Sequence, residues 1–242
     1  MRIFLAGATG AIGRRLTPLL VAAGHQVTGT TRSADKAAAL KAQGAQAVVV
    51  DVFDRQALRD AVVAARAEVV IHQLTDLPQV LDPARRGEAL VRNAKLRIDG
   101  TANLVAAAQA AGARRLISQS IAFIYAEGPE PHAESDPLAP ADGDDLNALT
   151  ARGVRALEGA TLDTPGIGGI VLRYGRLYGP GTWFAQASGR GPLHVDAAAQ
   201  AASLAVTRGD PGIYNIAEDD GAVTTDKARR DLGFDPAFRL PA

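Results

Sequence analysis

An α/β fold with a doubly wound parallel sheet is what the sequence predicts, and three observations predict it. The chain opens with an apolar run, a glycine-rich turn and an amphipathic stretch, in the order strand, turn, helix. Short strand-like runs then alternate with helical stretches almost to the end, the pattern of parallel strands joined by crossover helices. No repeat or low-complexity linker breaks that alternation over 242 residues, so a single domain spanning 1–242 is expected.

The first strand is expected over residues 2–6 and the first helix over 14–23, closed by Gly24. Between them Gly7-Ala8-Thr9-Gly10-Ala11-Ile12-Gly13 places a glycine at every third position. Gly7 allows a sharp turn off the strand. Gly10 has no Cβ, so a ligand can approach the main chain there. Gly13 is expected to let the helix pack closely on the sheet. The free amides around Ala11 and Ile12, with the helix dipole, favour a phosphate, and Thr9 adds a hydroxyl donor. A strand-to-helix corner of this kind is expected to grip a dinucleotide.

The second strand, 26–31, runs out through Thr30-Thr31-Arg32-Ser33 with no carboxylate. Dinucleotide folds that prefer NAD place an acidic residue there for the ribose 2′-hydroxyl. Arg32 and Ser33 suit a 2′-phosphate instead, so NADP is expected over NAD. Ser33 also stands where it can cap the helix over 34–43. The third strand, 45–50, leads to Asp51-Val52, and Asp54 is placed to cap the helix from Arg55.

The fourth strand, 68–72, is followed by Gln73-Leu74-Thr75-Asp76. Ligands gather at such carboxyl ends, so Leu74 and Thr75 are expected to flank the cofactor, and His72 to be packed rather than basic. A long helix is expected over 83–112. Further strands are expected over 113–118, 166–173 and 212–216, with helices over 147–159, 196–208 and from Asp226. The stretch 127–145, with four prolines and seven carboxylates, is expected to form a flap near the substrate mouth.

Composition narrows the function. The 26 basic and 26 acidic residues cancel, which gives no pull toward nucleic acid or anionic membrane. With no cysteine there are neither disulfides nor thiolate metal sites, and no metal is expected. No leader is expected before the first strand and no apolar run approaches a membrane span, so a cytoplasmic protein is expected.

Several stretches together resemble the extended short-chain dehydrogenase/reductase family, also called the NAD-dependent epimerase/dehydratase family. They are the G-x-x-G-x-x-G turn, Gly100-Thr101-x-Asn103-Leu104, Ser118-Gln119-Ser120 through Tyr125, Leu172-Arg173-Tyr174 through Tyr178-Gly179-Pro180-Gly181, and His194-Val195-Asp196. The resemblance implies a Rossmann fold, with Asp51 and Val52 at the adenine and Asp196 as a helix cap. It also implies a serine after the fifth strand and a Tyr-x-x-x-Lys pair on the next helix. Aligned by Ala156-Leu157-Glu158, the tyrosine position falls on Thr150 and the lysine position on Val154. No tyrosine lies between Tyr125 and Tyr174, and no lysine between Lys95 and Lys227.

Tyr125, Tyr174, Tyr178, His132 and His194 are then the candidate proton donors. Ser120 with Tyr125 is the expected catalytic pair, since both should lie near the carboxyl edge of the sheet, and Arg152 or Arg155 the expected charge beside the ribose. Only residues 182–193 separate Gly181 from His194, so the substrate lobe over 175–242 is expected to be reduced, with Trp183 and Phe184 as its wall. The leading expectation is an NADP(H)-dependent oxidoreductase acting on a small carbonyl or alcohol. An inactive NADP(H) sensor and a sugar-nucleotide epimerase or dehydratase are the alternatives. A homodimer is expected by analogy with the family.

Overall fold

The computed structural model describes residues 1–78, 80 and 82–241. Its centre is a seven-stranded, wholly parallel sheet. The strands are β1 (Arg2–Ala6), β2 (Gln26–Thr31), β3 (Gln46–Val49), β4 (Val69–His72), β5 (Arg115–Ile121), β6 (Gly168–Tyr174) and, after a short side ribbon, β9 (Gly212–Ile216). Their order across the sheet is β3-β2-β1-β4-β5-β6-β9. The winding reverses between β1 and β4, which leaves a crevice outside their carboxyl ends.

Alternation along β1 shows how the two faces are filled. Ile3 and Leu5 enter one apolar cluster and Phe4 and Ala6 the other. Period-two packing of this sort requires both faces to be covered, as parallel sheets demand. Each such buried large side chain contributes about 1.5–3 kcal/mol. Helices α1 (Gly13–Ala22), α7 (Val195–Leu204) and α8 (Asp226–Leu232) cover the Ile3 face. Helices α3 (Arg55–Ala64) and α5 (Thr101–Ala110) cover the Phe4 face. Helix α2 (Ala34–Ala42) puts Leu40 into the Ile3 cluster.

The long helix expected over 83–112 is continuous but not uniform. A 3₁₀ turn (Pro83–Arg85) leads into α4 (Arg86–Lys95), a π-helical turn (Leu96–Gly100) and then α5. Beside it runs α6 (Leu146–Leu162), capped by Asp145, whose Oδ1 accepts from the amides of Asn147 and Ala148. Pro18 inside α1 leaves the Arg14 carbonyl without its helical donor, and the Gln43 side-chain amide supplies one at 3.0 Å.

The C-terminal third is more integrated than a separate lobe. It adds the seventh strand, and Ala228, Leu232 and Phe234 enter the main core. α8 ends at Gly233 in the left-handed region (φ +74°), which brings Phe234 back onto Ala228. Only the ribbon of β7 (Arg176–Tyr178) and β8 (Pro192–His194), with the loop between them, stands off the sheet. The expected flap over 127–145 packs elsewhere than the crevice. His132 exchanges main-chain hydrogen bonds with Ala222 and Thr224, and Ala139 donates to Ile124.

Two capping expectations are revised. The cap of α7 is His194, whose Nδ1 accepts from the Asp196 amide at 3.2 Å. Asp196 instead pairs with Arg15 of α1 at 3.0 Å and accepts from the Leu240 amide. Ser33 sits at the N-cap of α2, but its hydroxyl makes no cap bond. Asp54 caps α3 as expected, accepting from Ala57 at 3.0 Å. Among the described residues no helix is long and apolar enough to cross a membrane.

Candidate functional site: a cleft along the carboxyl edge of the sheet

One cleft of about 900 Å³ runs along the carboxyl ends of the central strands. Its first wall is the β1–α1 corner. Gly7 has φ +89°, and a Cβ there would lie 2.5 Å from the Gln73 carbonyl. No other residue fits that turn. At Gly10 a Cβ would meet only the Gly7 carbonyl, at 3.3 Å, so Thr9, Gly10, Ala11 and Ile12 present an open surface to the cleft. Gly13 is not on that wall. A Cβ there would lie 2.2 Å from the Gly7 carbonyl, so this glycine closes the turn on itself rather than packing the helix on the sheet. The Thr30 hydroxyl accepts from the Gly7 amide at 3.2 Å and so ties the turn to β2.

At the β2 end the wall carries Thr31, Arg32 and Lys36, and no carboxylate of β2. Arg32 is 66% exposed and lies 3.7 Å from Asp76, a loose pairing. Ser33 does not line the cleft, and Lys36 stands in its place. Asp51 is exposed on the cleft with Oδ1 accepting from the Phe53 amide, and Val52 lies beside it. The Asn103 amide holds the Val52 carbonyl at 3.0 Å, which accounts for the Gly-Thr-x-Asn stretch.

The floor is the exit of β4. His72 is fully buried, with Nδ1 accepting from the Leu74 amide and Nε2 3.0 Å from the Thr101 hydroxyl. Burial, with the Arg97 charge adding to it, pulls its pKa down to about 4. It is a neutral strut that sets Leu74 and Thr75 on the cleft. Gln73 donates to the Tyr174 hydroxyl at 3.2 Å, and its buried Oε1 has no partner among the described residues. Tyr174 is buried, and burial raises its pKa, so it stays a neutral phenol.

The far wall holds the expected chemistry, and here the structure separates the expected pair. Ser120 faces the cleft and donates to Glu158 at 2.7 Å. Tyr125 faces a different cavity, of about 370 Å³. Its hydroxyl accepts from Arg173 at 2.8 Å and donates to Asn215 at 2.6 Å, and burial raises its pKa. The two are linked only through a buried ion pair, in which Arg173 meets both carboxylate oxygens of Glu158 at 2.9 and 2.7 Å. Arg152 and Arg155 are also elsewhere. They donate to main-chain carbonyls of residues 138–143 and do not line the cleft. Thr150 does line it, with its hydroxyl turned to the Leu146 carbonyl, and Val154 is fully buried.

Several groups at this cleft were not singled out from the sequence, among them Arg14, Lys36, Arg97 and Phe123 and, behind the wall, the Glu158–Arg173 pair. The pair had a signal. Glu158 falls on the buried stripe Ala151, Val154, Leu157, Thr161 of α6, and Arg173 sits inside an apolar central strand. Two buried charges of opposite sign call for each other. Trp183, on the loop after β7, donates to the Pro78 carbonyl at 2.8 Å and so spans the cleft mouth. Phe123, Trp183 and Phe184 line the cleft and remain 37–46% exposed.

Comparison with known proteins agrees with this architecture. A family model described as NAD(P)H-binding matches residues 7–154. A 3-diazoavenalumate denitrifying reductase from a Streptomyces species is 41% identical over all of this chain and 85% of its own length. A ketoreductase of Stigmatella aurantiaca, named for a farnesylated dihydroquinoline oxide, is 31% identical over 53% of this chain and 36% of its own. Among solved structures, a UDP-glucose 4-epimerase from Thermotoga maritima superposes with TM-score 0.78 over 99% of this chain and 94% of its own, at 18% identity. A dTDP-glucose 4,6-dehydratase from Streptomyces venezuelae, solved with NAD, gives 0.77 over 99% and 93%, at 17% identity.

Proposed function

We propose that this chain, which belongs to the NAD(P)H-binding family of oxidoreductases, is an NADPH-dependent reductase whose substrate accepts hydride without needing a proton from the protein. The observation that carries this reading is α6. It contains neither tyrosine nor lysine, yet it faces an intact nucleotide corner across the cleft. A tyrosine–lysine pair serves to protonate the oxygen of a carbonyl as its carbon is reduced. A threonine hydroxyl is too weak an acid for that task.

The cleft fits a dinucleotide on its own terms. Gly10 leaves the space a diphosphate needs, and the Gln73 Oε1 is a buried acceptor in want of a donor. Thr9 and the amides of Gly10, Ala11 and Ile12 would hold the diphosphate, with Arg14 offsetting its charge. Arg32 and Lys36 would take a 2′-phosphate, which is why we read NADP rather than NAD. Asp51 and Val52 would meet the adenine. Leu74 and Thr75 would flank the middle of the cofactor. When bound, the cofactor supplies hydride.

An aromatic diazo compound, in its diazonium form, suits such a site. Its ring carbon gains the C–H bond, and dinitrogen departs with the former C–N bonding pair. The substrate is reduced by two electrons and its positive charge is discharged, so no side chain has to give up a proton. The Streptomyces relative is named for this class of reaction, which supports the choice. The partly exposed rings of Phe123, Trp183 and Phe184 suit a flat aromatic guest. Ser120, pinned by Glu158, orients the guest, and Tyr125 holds Arg173 in place rather than handling protons. We further read a cytoplasmic homodimer packed through α4 and α6, near which Val91, Ile98 and Leu146 are exposed.

The test is NADPH oxidation with an aryl diazonium acid, with dinitrogen measured as it evolves. Deuterium at the transferable position of NADPH should appear on the ring carbon that lost nitrogen. Reduction of ketones or enones in place of the diazo acid would restore the carbonyl reading. Tight NADPH binding with no turnover of either class would favour the sensor reading.

A further inference from the structure

Apart from Arg97, each cation on the cleft has either an evident occupation or, as with exposed Arg14, Lys36 and Arg86, open water around it. Arg32 leans on Asp76, Arg190 pairs with Glu130, and Arg176 lies over the Phe123 ring at 4.6 Å. Arg97 has neither. It sits in the π-helical turn Leu96–Gly100, partly buried on the far wall, with no hydrogen bond or ion pair among the described residues. Its stem crosses α6 at Gly153, where a Cβ would lie 3.4 Å from Arg97 Cδ and 3.2 Å from Ala94 Cα. Gly153 therefore opens the passage through which the guanidinium reaches the cleft.

The one acid that influences it is Glu158, and that carboxylate is already engaged. One oxygen accepts from Ser120 and Arg173, the other from Arg173 again. Desolvation lowers the Arg97 pKa to about 10, so the group remains cationic at neutral pH without a counter-ion. Holding a desolvated, unpaired cation costs stability in the free protein, and a ligand that brings an anion recovers it. The phosphates of a dinucleotide would lie toward the β1–α1 corner and β2. Arg97 belongs to the opposite layer of helices, near His72 and α6, so its anion has to come from the second ligand. The fork of a guanidinium matches a carboxylate with two parallel hydrogen bonds. π-helical turns in long helices frequently mark such ligand-facing positions.

We propose that Arg97 is the substrate-binding residue of this cleft, and that the substrate is an aromatic carboxylic acid whose carboxylate docks on its guanidinium. This rests on the reductase reading for the aromatic ring but not for the anion.

The test is equilibrium binding, with no turnover. NADP-loaded protein is titrated calorimetrically with 3-(4-hydroxyphenyl)acrylic acid and, separately, with its primary amide. The wild type is expected to prefer the acid by about tenfold or more. In Arg97→Gln the acid should fall to the level of the amide, with amide and NADP affinities unchanged, and Arg97→Lys should recover part of the loss. Equal binding of acid and amide by the wild type would overturn the proposal, and so would no binding of the acid at millimolar concentration. An Arg97→Gln loss shared equally by NADP would also overturn it, by assigning the guanidinium to the cofactor. If Arg97→Gln fails to fold, Arg97→Met carries the same comparison, and an acid preference as large as the wild type's in that variant would overturn the assignment. Acid binding that depends on Arg97, with no dinitrogen release in the separate assay, would sink the diazo reading and leave this assignment standing.

Discussion

The two ends of the cleft are built from different material. At the β1–α1 corner the cleft wall is mostly main chain, and the side chains matter chiefly by being absent, as at Gly7 and Gly10. At the α6 end the wall and the groups behind it are side chains. Ser120, Glu158, Arg173 and Arg97 come from four separate elements. A main-chain site depends on one local conformation. A side-chain site depends on the whole sheet assembling in register first. The first kind tolerates drift elsewhere in the chain, whereas the second can change its chemistry by a few substitutions while the fold stays put.

The sharpest way to break this contrast is at the side-chain end. Glu158→Leu leaves the Arg173 guanidinium buried without its partner, which should cost about 3–5 kcal/mol. A urea midpoint that hardly moves would show the pair to be dispensable. NADPH affinity of the folded fraction should be unaffected, because the nucleotide corner shares no group with the pair.

His72 lies between the two ends, and its effect is read through pH. Its folded pKa, about 4, is below the unfolded value of 6.5, so the unfolded chain binds the extra proton between these values. The stabilisation is complete above pH 6.5 and is lost as pH falls toward 4, amounting to about 3 kcal/mol. Urea unfolding at pH 7.5 and 4.5 checks this, and His72→Gln should flatten that part of the slope.

At the main-chain end, Gly10→Val should leave the melting temperature almost unchanged and weaken NADPH by about 100-fold or more, since the new side chain fills ligand space. Retained binding would refute the assigned corner. The smallest effect is expected at Arg32. Arg32→Glu should weaken NADPH by about tenfold while NAD affinity stays near its starting value. Equal loss of both would remove Arg32 from the 2′-phosphate.

The same division explains what could be read in advance. The strand–turn–helix corner, all seven sheet strands and the capping role of Asp54 are local patterns, and they were legible. The cap at His194 was missed because an imidazole lone pair reaches the Asp196 amide only in one tautomer, which spacing does not reveal. The pairing of Ser120 with Tyr125 failed because sequence proximity says nothing about which cavity each one faces. Arg97 gave no signal at all. Its isolation arises from the engagement of Glu158 by partners on β5 and β6, and no window of sequence contains those three elements together.

The bond from Trp183 to Pro78 has a practical corollary. This chain holds a single tryptophan, so all of its indole fluorescence originates at the lip of the cleft. Reduced nicotinamide absorbs where indole emits, so cofactor docking should quench that emission by energy transfer, with no label attached. A guest that parts the ring from the Pro78 carbonyl should shift the emission colour instead. The two ligands would then be distinguishable by eye on one spectrum, in real time.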